Sequence, residues 1–132
     1  MKRDLELIRK LVLAAEASPS GYVKDDLEIG GYSPEQIGYH SYLLVDAGLA
    51  KGVDTTIFGS SSPNWRLLHL TSVGHDFADS AREESTWRKA TGLVKDRAGT
   101  VTLDVMKQLL VSLIKKALDL LIYDPHDPQP HV

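Results

Sequence analysis

Few residues in this 132-residue chain belong to types that do chemistry on their own. It has five histidines and no cysteine. Without thiols there can be no disulfide, no thiolate metal site and no cysteine nucleophile. A cysteine-free chain also fits a reducing compartment, so a cytoplasmic protein is expected. His69 and His75 with Asp76 invite a metal reading. One would sit on a strand and the other in the next helix, and no further matched ligand stands near them in sequence. His126, Asp127 and His131 fall in a proline-rich stretch and would bind metal only adventitiously. No metal and no cofactor are therefore expected. The chain has no G-x-S-x-G, no phosphate-cradling G-x-x-x-x-G-K and no H-E-x-x-H. No pair of acids is fixed at a spacing that implies proton transfer, so no enzyme is expected.

The remaining candidates could recognise a surface. Between Ser33 and Ala47 the outward helical positions are Glu35, Gln36, Tyr39, Tyr42 and Asp46, with no lysine or arginine among residues 33–47. Gln36 suits an adenine edge, Tyr39 and Tyr42 suit phosphate, and His40 suits either a contact or a half-buried structural role. Lys51 and Arg66 would supply the phosphate-binding charge. Against them stands an acidic balance. The formal net charge is −3, and across residues 18–70 Lys24, Lys51 and Arg66 face Asp25, Asp26, Glu28, Glu35, Asp46 and Asp54. Phosphate would be repelled by Glu35 and Asp46, whereas tyrosines beside acids suit a protein surface. Asp25-Asp26-x-Glu28 reads either as a solvated loop or as a partner site. DNA and a host protein both remain open as partners.

These residues must be held by secondary structure. Apolar residues make up 42% of the chain and charged residues 25%, an ordinary globular composition. Leu5, Ile8, Leu11, Val12 and Ala15 share one helical face over residues 4–17, with Asp4 and Glu6 in the first turn. Residues 22–30 read as a short strand or a ragged helical turn, ended by Gly30-Gly31. Ser33-Pro34-Glu35-Gln36 is a capped helix start, and Gly48 stops that helix after Ala47. Its inner face holds Ile37, His40 or Ser41, Leu44 and Ala47. Leu49–Val53 and Trp65–Leu70 pair as a hairpin around a polar loop over residues 54–64. Thr71 caps a further helix through Ala81, and helices follow over residues 85–97 and 102–121 around Gly99. Trp65 and Trp87 are expected to pack on the core.

The last of these helices is apolar almost all round. Leu103, Met106, Leu110, Leu113, Ala117 and Leu120 recur at helical spacing, with Val105, Leu109, Ile114, Leu118 and Leu121 beside them. Such a helix needs cover on two sides, from a second copy or from helices 85–97 and 4–17 of its own chain. A homodimer is the reading taken here. The same stretch is broken by Ser112, Lys115, Lys116 and Asp119 and is not expected to span a bilayer. Asp4 and Glu6 interrupt what would be the apolar core of a signal peptide, so none is expected.

Ile37-Gly38-Tyr39-His40-Ser41-Tyr42-Leu43-Leu44-Val45-Asp46-Ala47-Gly48-Leu49 resembles the recognition helix and exit turn of ArsR- and MarR-like regulators. Leu70-Thr71-Ser72-Val73-Gly74-His75-Asp76-Phe77 resembles their entry into the helix after the wing. The chain is also similar to a narrower family of small bacterial, phage and prophage proteins of unknown function that begin M-K-R-D-x-x-L-I-R. Its further pieces stand here at Gly31–His40, Ala47–Leu49, Leu70–Phe77 and Ala81–Trp87. The resemblance implies a winged helix-turn-helix fold and a mobile-element origin. In the regulators a full helix braces the recognition helix, and residues 22–32 offer only a degenerate substitute.

The expected fold is thus mainly α with a small β-hairpin wing: a winged helix-turn-helix domain over residues 1–83, a dimerising helical extension over 84–122 and a flexible tail over 123–132. The expected function is a non-enzymatic, dimeric DNA-binding transcriptional regulator. The alternative is a module that binds or inhibits a host protein.

Overall fold

Asp4 sets where the first helix begins. Its Oδ1 accepts the backbone N–H groups of Glu6 (2.9 Å) and Leu7 (3.2 Å), two donors that a helix start otherwise leaves unpaired. Asp4 is therefore the cap and stands outside the first turn. Helix α1 (Leu5–Glu16) then lays Leu7, Ile8, Leu11, Val12 and Ala15 along one buried stripe. The computed structural model describes residues 1–96 and 103–122, with the backbone course alone for residues 94–96, 114 and 117–122. The break at Gly99 and the proline-rich tail lie outside the described residues.

Residues 22–32 form neither of the two elements expected of them. The run has no regular structure, because its polar and glycine residues interrupt any period. It is nevertheless fastened: the Val23 N–H donates to the Leu68 carbonyl (2.8 Å), and Val23 is buried while Leu27 and Ile29 pack against the core. Only one helix, α1, therefore precedes α2 (Pro34–Asp46).

Helix α2 starts as its sequence requires. Gln36 N–H donates to Ser33 Oγ (3.1 Å), and Ser33 N–H donates to Gln36 Oε1 (2.8 Å), a complete capping box with Pro34 in the first turn. Gly48 ends it at φ +77°, a conformation that a side chain would strain. Strands β1 (Ala50–Asp54) and β2 (Trp65–Leu70) pair antiparallel, with a register irregularity between Lys51 and Gly52.

The hairpin is shut at its base by Thr71. Its backbone N–H donates to the Leu49 carbonyl (3.0 Å), and its hydroxyl donates to the Gly48 carbonyl (2.6 Å). The same hydroxyl accepts the Gly74 N–H (3.1 Å) and so caps α3 (Ser72–Arg82). Gly74 lies so close to the Leu49 carbonyl oxygen that a Cβ would overlap it. The A-G-L and L-T-x-x-G stretches thus meet as one seam.

Helices α4 (Glu84–Asp96) and α5 (Leu103–Ile122) complete the described residues. Buried side chains from α1, α2, the hairpin, α3, α4 and α5 make a single core cluster, so residues 84–122 share the core of residues 1–83. Fully covering one such Leu, Ile or Phe contributes on the order of 1.5–3 kcal/mol. Leu103, Met106 and Leu110 belong to this cluster. They face α3 and α4 of their own chain, which corrects the expectation that they form a dimer seam. Leu113 packs half-buried against the same cluster. The side chains of Ala117 and Leu120 lie outside those described. Among the described residues no helix is long and apolar enough to cross a membrane.

Candidate interaction surface

The residues nominated for recognition separate into two groups. The first is occupied by the fold itself. His40 is 1% exposed. Its Nε2 accepts the Asp4 backbone N–H (2.8 Å), and its Nδ1 lies 2.8 Å from the Gln36 carbonyl. An N–H can only donate and a carbonyl can only accept, so the ring is neutral with its proton on Nδ1. It has no face left for DNA, which corrects its nomination as a contact. Gln36 spends its side-chain oxygen on the capping box. Arg66, nominated for phosphate, is partly engaged within its own chain. Its guanidinium donates to the Lys24 carbonyl and lies 3.4 Å from Asp26, so its charge is held against the acidic loop.

The second group stays on the surface. Lys51 is exposed. Tyr39 and Tyr42 are half-buried and join an aromatic row: ring centres lie 6.0 Å apart between the tyrosines and 6.2 Å between Tyr42 and Trp65. Trp65 is thus half-buried at the junction of α2 with β2, as a packing residue. Around this row stand exposed Glu35 and Asp46 on α2, Asp54 at the end of β1, and Asp25, Asp26 and Glu28 on the preceding run. The Thr56 hydroxyl, and then its backbone N–H, hold the Asp54 carboxyl below the usual carboxylate range. A cleft of about 280 Å³ opens among Val23, Asp26, Leu27, Ile37, Trp65 and Arg66.

The loop over residues 55–64 holds what sequence reading passed over. It was expected to be a polar tip. Its apex instead carries Ile57, 79% exposed, and Phe58, fully exposed at 104%. The signal was present as two adjacent large apolar residues in a run of Thr, Gly, Ser, Pro and Asn. Below the apex the neck is cross-bonded: Thr55 N–H donates to the Asn64 carbonyl (2.9 Å), and Asn64 N–H donates to Thr56 Oγ1 (2.9 Å). Ser62 Oγ donates to Glu35 Oε1 (3.2 Å), which ties the loop to α2.

The remaining motif residues are bonded mainly among α1, α3, α4 and the run before α2. Tyr32 donates its hydroxyl to Asp4 Oδ2 (3.0 Å), and burial followed by that bond raises the phenol above its ordinary range. Arg9 Nε donates to the Ala81 carbonyl (2.8 Å), and the guanidinium pairs with Glu84 (2.9 Å) and Glu6 (3.4 Å). Trp87 Nε1–H donates to Glu6 (2.9 Å), its ring packs edge-on to Phe77, and the Arg9 guanidinium lies 5.5 Å from the ring centre. His69 Nδ1 lies 2.9 Å from the Leu70 carbonyl, with its ring against Tyr22.

Comparison with known proteins adds kinship without a ligand. A protein of Haemophilus influenzae described as "Uncharacterized protein" is 29% identical over 126 residues, which cover 89% of this chain and 99% of that relative. No solved structure matches. A family model matches residues 2–100, a span that takes in α1 to α4, the hairpin and every surface residue described above. The chain therefore belongs to the family described as "Hypothetical protein (DUF2513)".

Proposed function

We propose that this chain is a non-enzymatic, cytoplasmic module of winged-helix type whose α2–hairpin face binds a protein. The observation that carries this reading is the charge and composition of that face. Glu35, Asp46 and Asp54 surround the Tyr39–Tyr42–Trp65 row, and Arg66 is already bonded within its own chain. Phosphate contact needs cations free to displace the nucleic acid's counterions, and around this face only Lys51 and Lys24 are exposed cations without a described side-chain bond, against six exposed acids. Aromatic side chains such as these are instead enriched at protein contacts. A fold by itself licenses neither function.

The DNA-binding regulator remains the second reading. The helix–hairpin–helix order, exposed Lys51 and the resemblance to mobile-element proteins favour it. Fluorescence anisotropy with pooled, fragmented host DNA across a salt series separates the two. Under the protein-binding reading, no saturable binding is expected even at low salt. Tight binding that falls steeply with salt, with a slope flattened by Lys51→Ala, would instead establish the regulator.

A further inference from the structure

We propose that the hairpin tip, Ile57-Phe58, is the anchor of this module and docks into an apolar pocket with a basic rim on a protein partner. The inference rests on the protein-binding reading above and says where and how that binding is made. Single exposed apolar residues are common and mean little. This pair differs in three ways. The two residues are adjacent, at an apex, and the aromatic one is wholly uncovered. They sit on a neck braced by Thr55, Thr56, Asn64 and the Ser62–Glu35 bond, so little loop freedom is lost when they are gripped. A projecting aromatic on a pre-ordered support is the form a binding anchor takes.

The class of partner follows from the charges behind the tip. Residues 55–64 carry none, and the acids flanking the loop are Asp54 at its base and Glu35, bonded to Ser62. An anionic bilayer or a nucleic-acid groove would bring phosphates against those carboxylates. On a second copy the clefts of this face are edged by Asp25, Asp26 and Glu28, and in the cleft beside α1 the charges of Lys2, Arg3 and Arg88 are offset by Asp4, Glu6 and Glu84, so a second copy offers no net basic rim. A protein pocket whose rim is basic satisfies both the apolar apex and the acidic collar.

Site-specific photo-cross-linking tests this. Benzoylphenylalanine replaces Phe58 in one full-length chain and Tyr39 in another, each expressed in the native host. The protein cross-linked from position 58 is identified, purified and titrated with the unmodified chain. The expected result is one protein species from position 58, whose affinity falls about tenfold or more with Phe58→Ser. Glu35→Lys should weaken the same complex, and added salt should too. Circular dichroism checks that both variants stay folded. A product with a second copy, with DNA or with lipid would overturn the proposal, as would Phe58-dependent sedimentation with vesicles of phosphatidylcholine and phosphatidylglycerol. A protein cross-linked only from position 39, or an affinity indifferent to Phe58→Ser, would sink the anchor and leave the protein-binding reading intact. No protein product from either position would sink both.

Discussion

His40 and Arg66 show how a side chain with recognition chemistry becomes a structural part. Both nitrogens of His40 are matched by backbone groups from two elements, Asp4 ahead of α1 and Gln36 within α2. Arg66 faces Asp26 of the run before α2. Glu84 makes the same point with a titratable consequence. The hydrogen bond from Arg9, and then its charge, hold the Glu84 carboxyl below the usual glutamate range. A lowered folded-state value means that the bridge stabilises the fold above the ordinary glutamate value. That contribution is lost as pH falls through the folded value. Carboxyl-carbon NMR titration should find Glu84 below the ordinary range, and Arg9→Met should move it upward. A midpoint indifferent to that substitution would remove Arg9 as the cause.

At the scale of elements, the seam between the hairpin base and α3 is the tightest requirement. Gly74→Ala would push a methyl group into the Leu49 carbonyl, a backbone atom that cannot swing aside. A loss of about 1–3 kcal/mol is expected from urea unfolding, the range for forced overpacking. An unchanged midpoint would mean that the seam is looser than described. Most elements were legible in sequence because each carries its own start or stop: Ser33 with Gln36, Thr71 before α3, and Gly48 after α2. Residues 22–32 were not legible, because Val23 is placed by one bond to a residue 45 positions away, Leu68. The candidate surface was legible only in part. Tyr39, Tyr42 and Lys51 do lie on the surface, while the fates of His40 and Arg66 depend on partners in other elements. Phe58 was lost inside a loop judged by its average polarity.

For the whole molecule, the cover of α5 decides what its apolar surface means. Leu103, Met106 and Leu110 lie in the same cluster as Leu7 and Phe77. Leu110→Ala should therefore cost about 2–5 kcal/mol, as a core truncation does. That loss should be the same at every protein concentration in thermal unfolding. A loss that grows as concentration rises would mean that Leu110 holds two copies together.

The bonds that tie α1 to the α3–α4 corner span most of the chain: Glu6 and Trp87 stand 81 positions apart. At a synthesis rate of roughly 5–20 residues per second, α1 is made about 4–16 s before that tryptophan. An isolated helix of its length is marginal in water. Until α2, the hairpin and α3 have been made, Leu7, Ile8, Leu11 and Val12 lack the elements that α1 packs against, and the newborn chain carries an uncovered apolar stripe. The core itself is complete only with α5, which brings Leu103, Met106 and Leu110, and a holding chaperone has that interval in which to act.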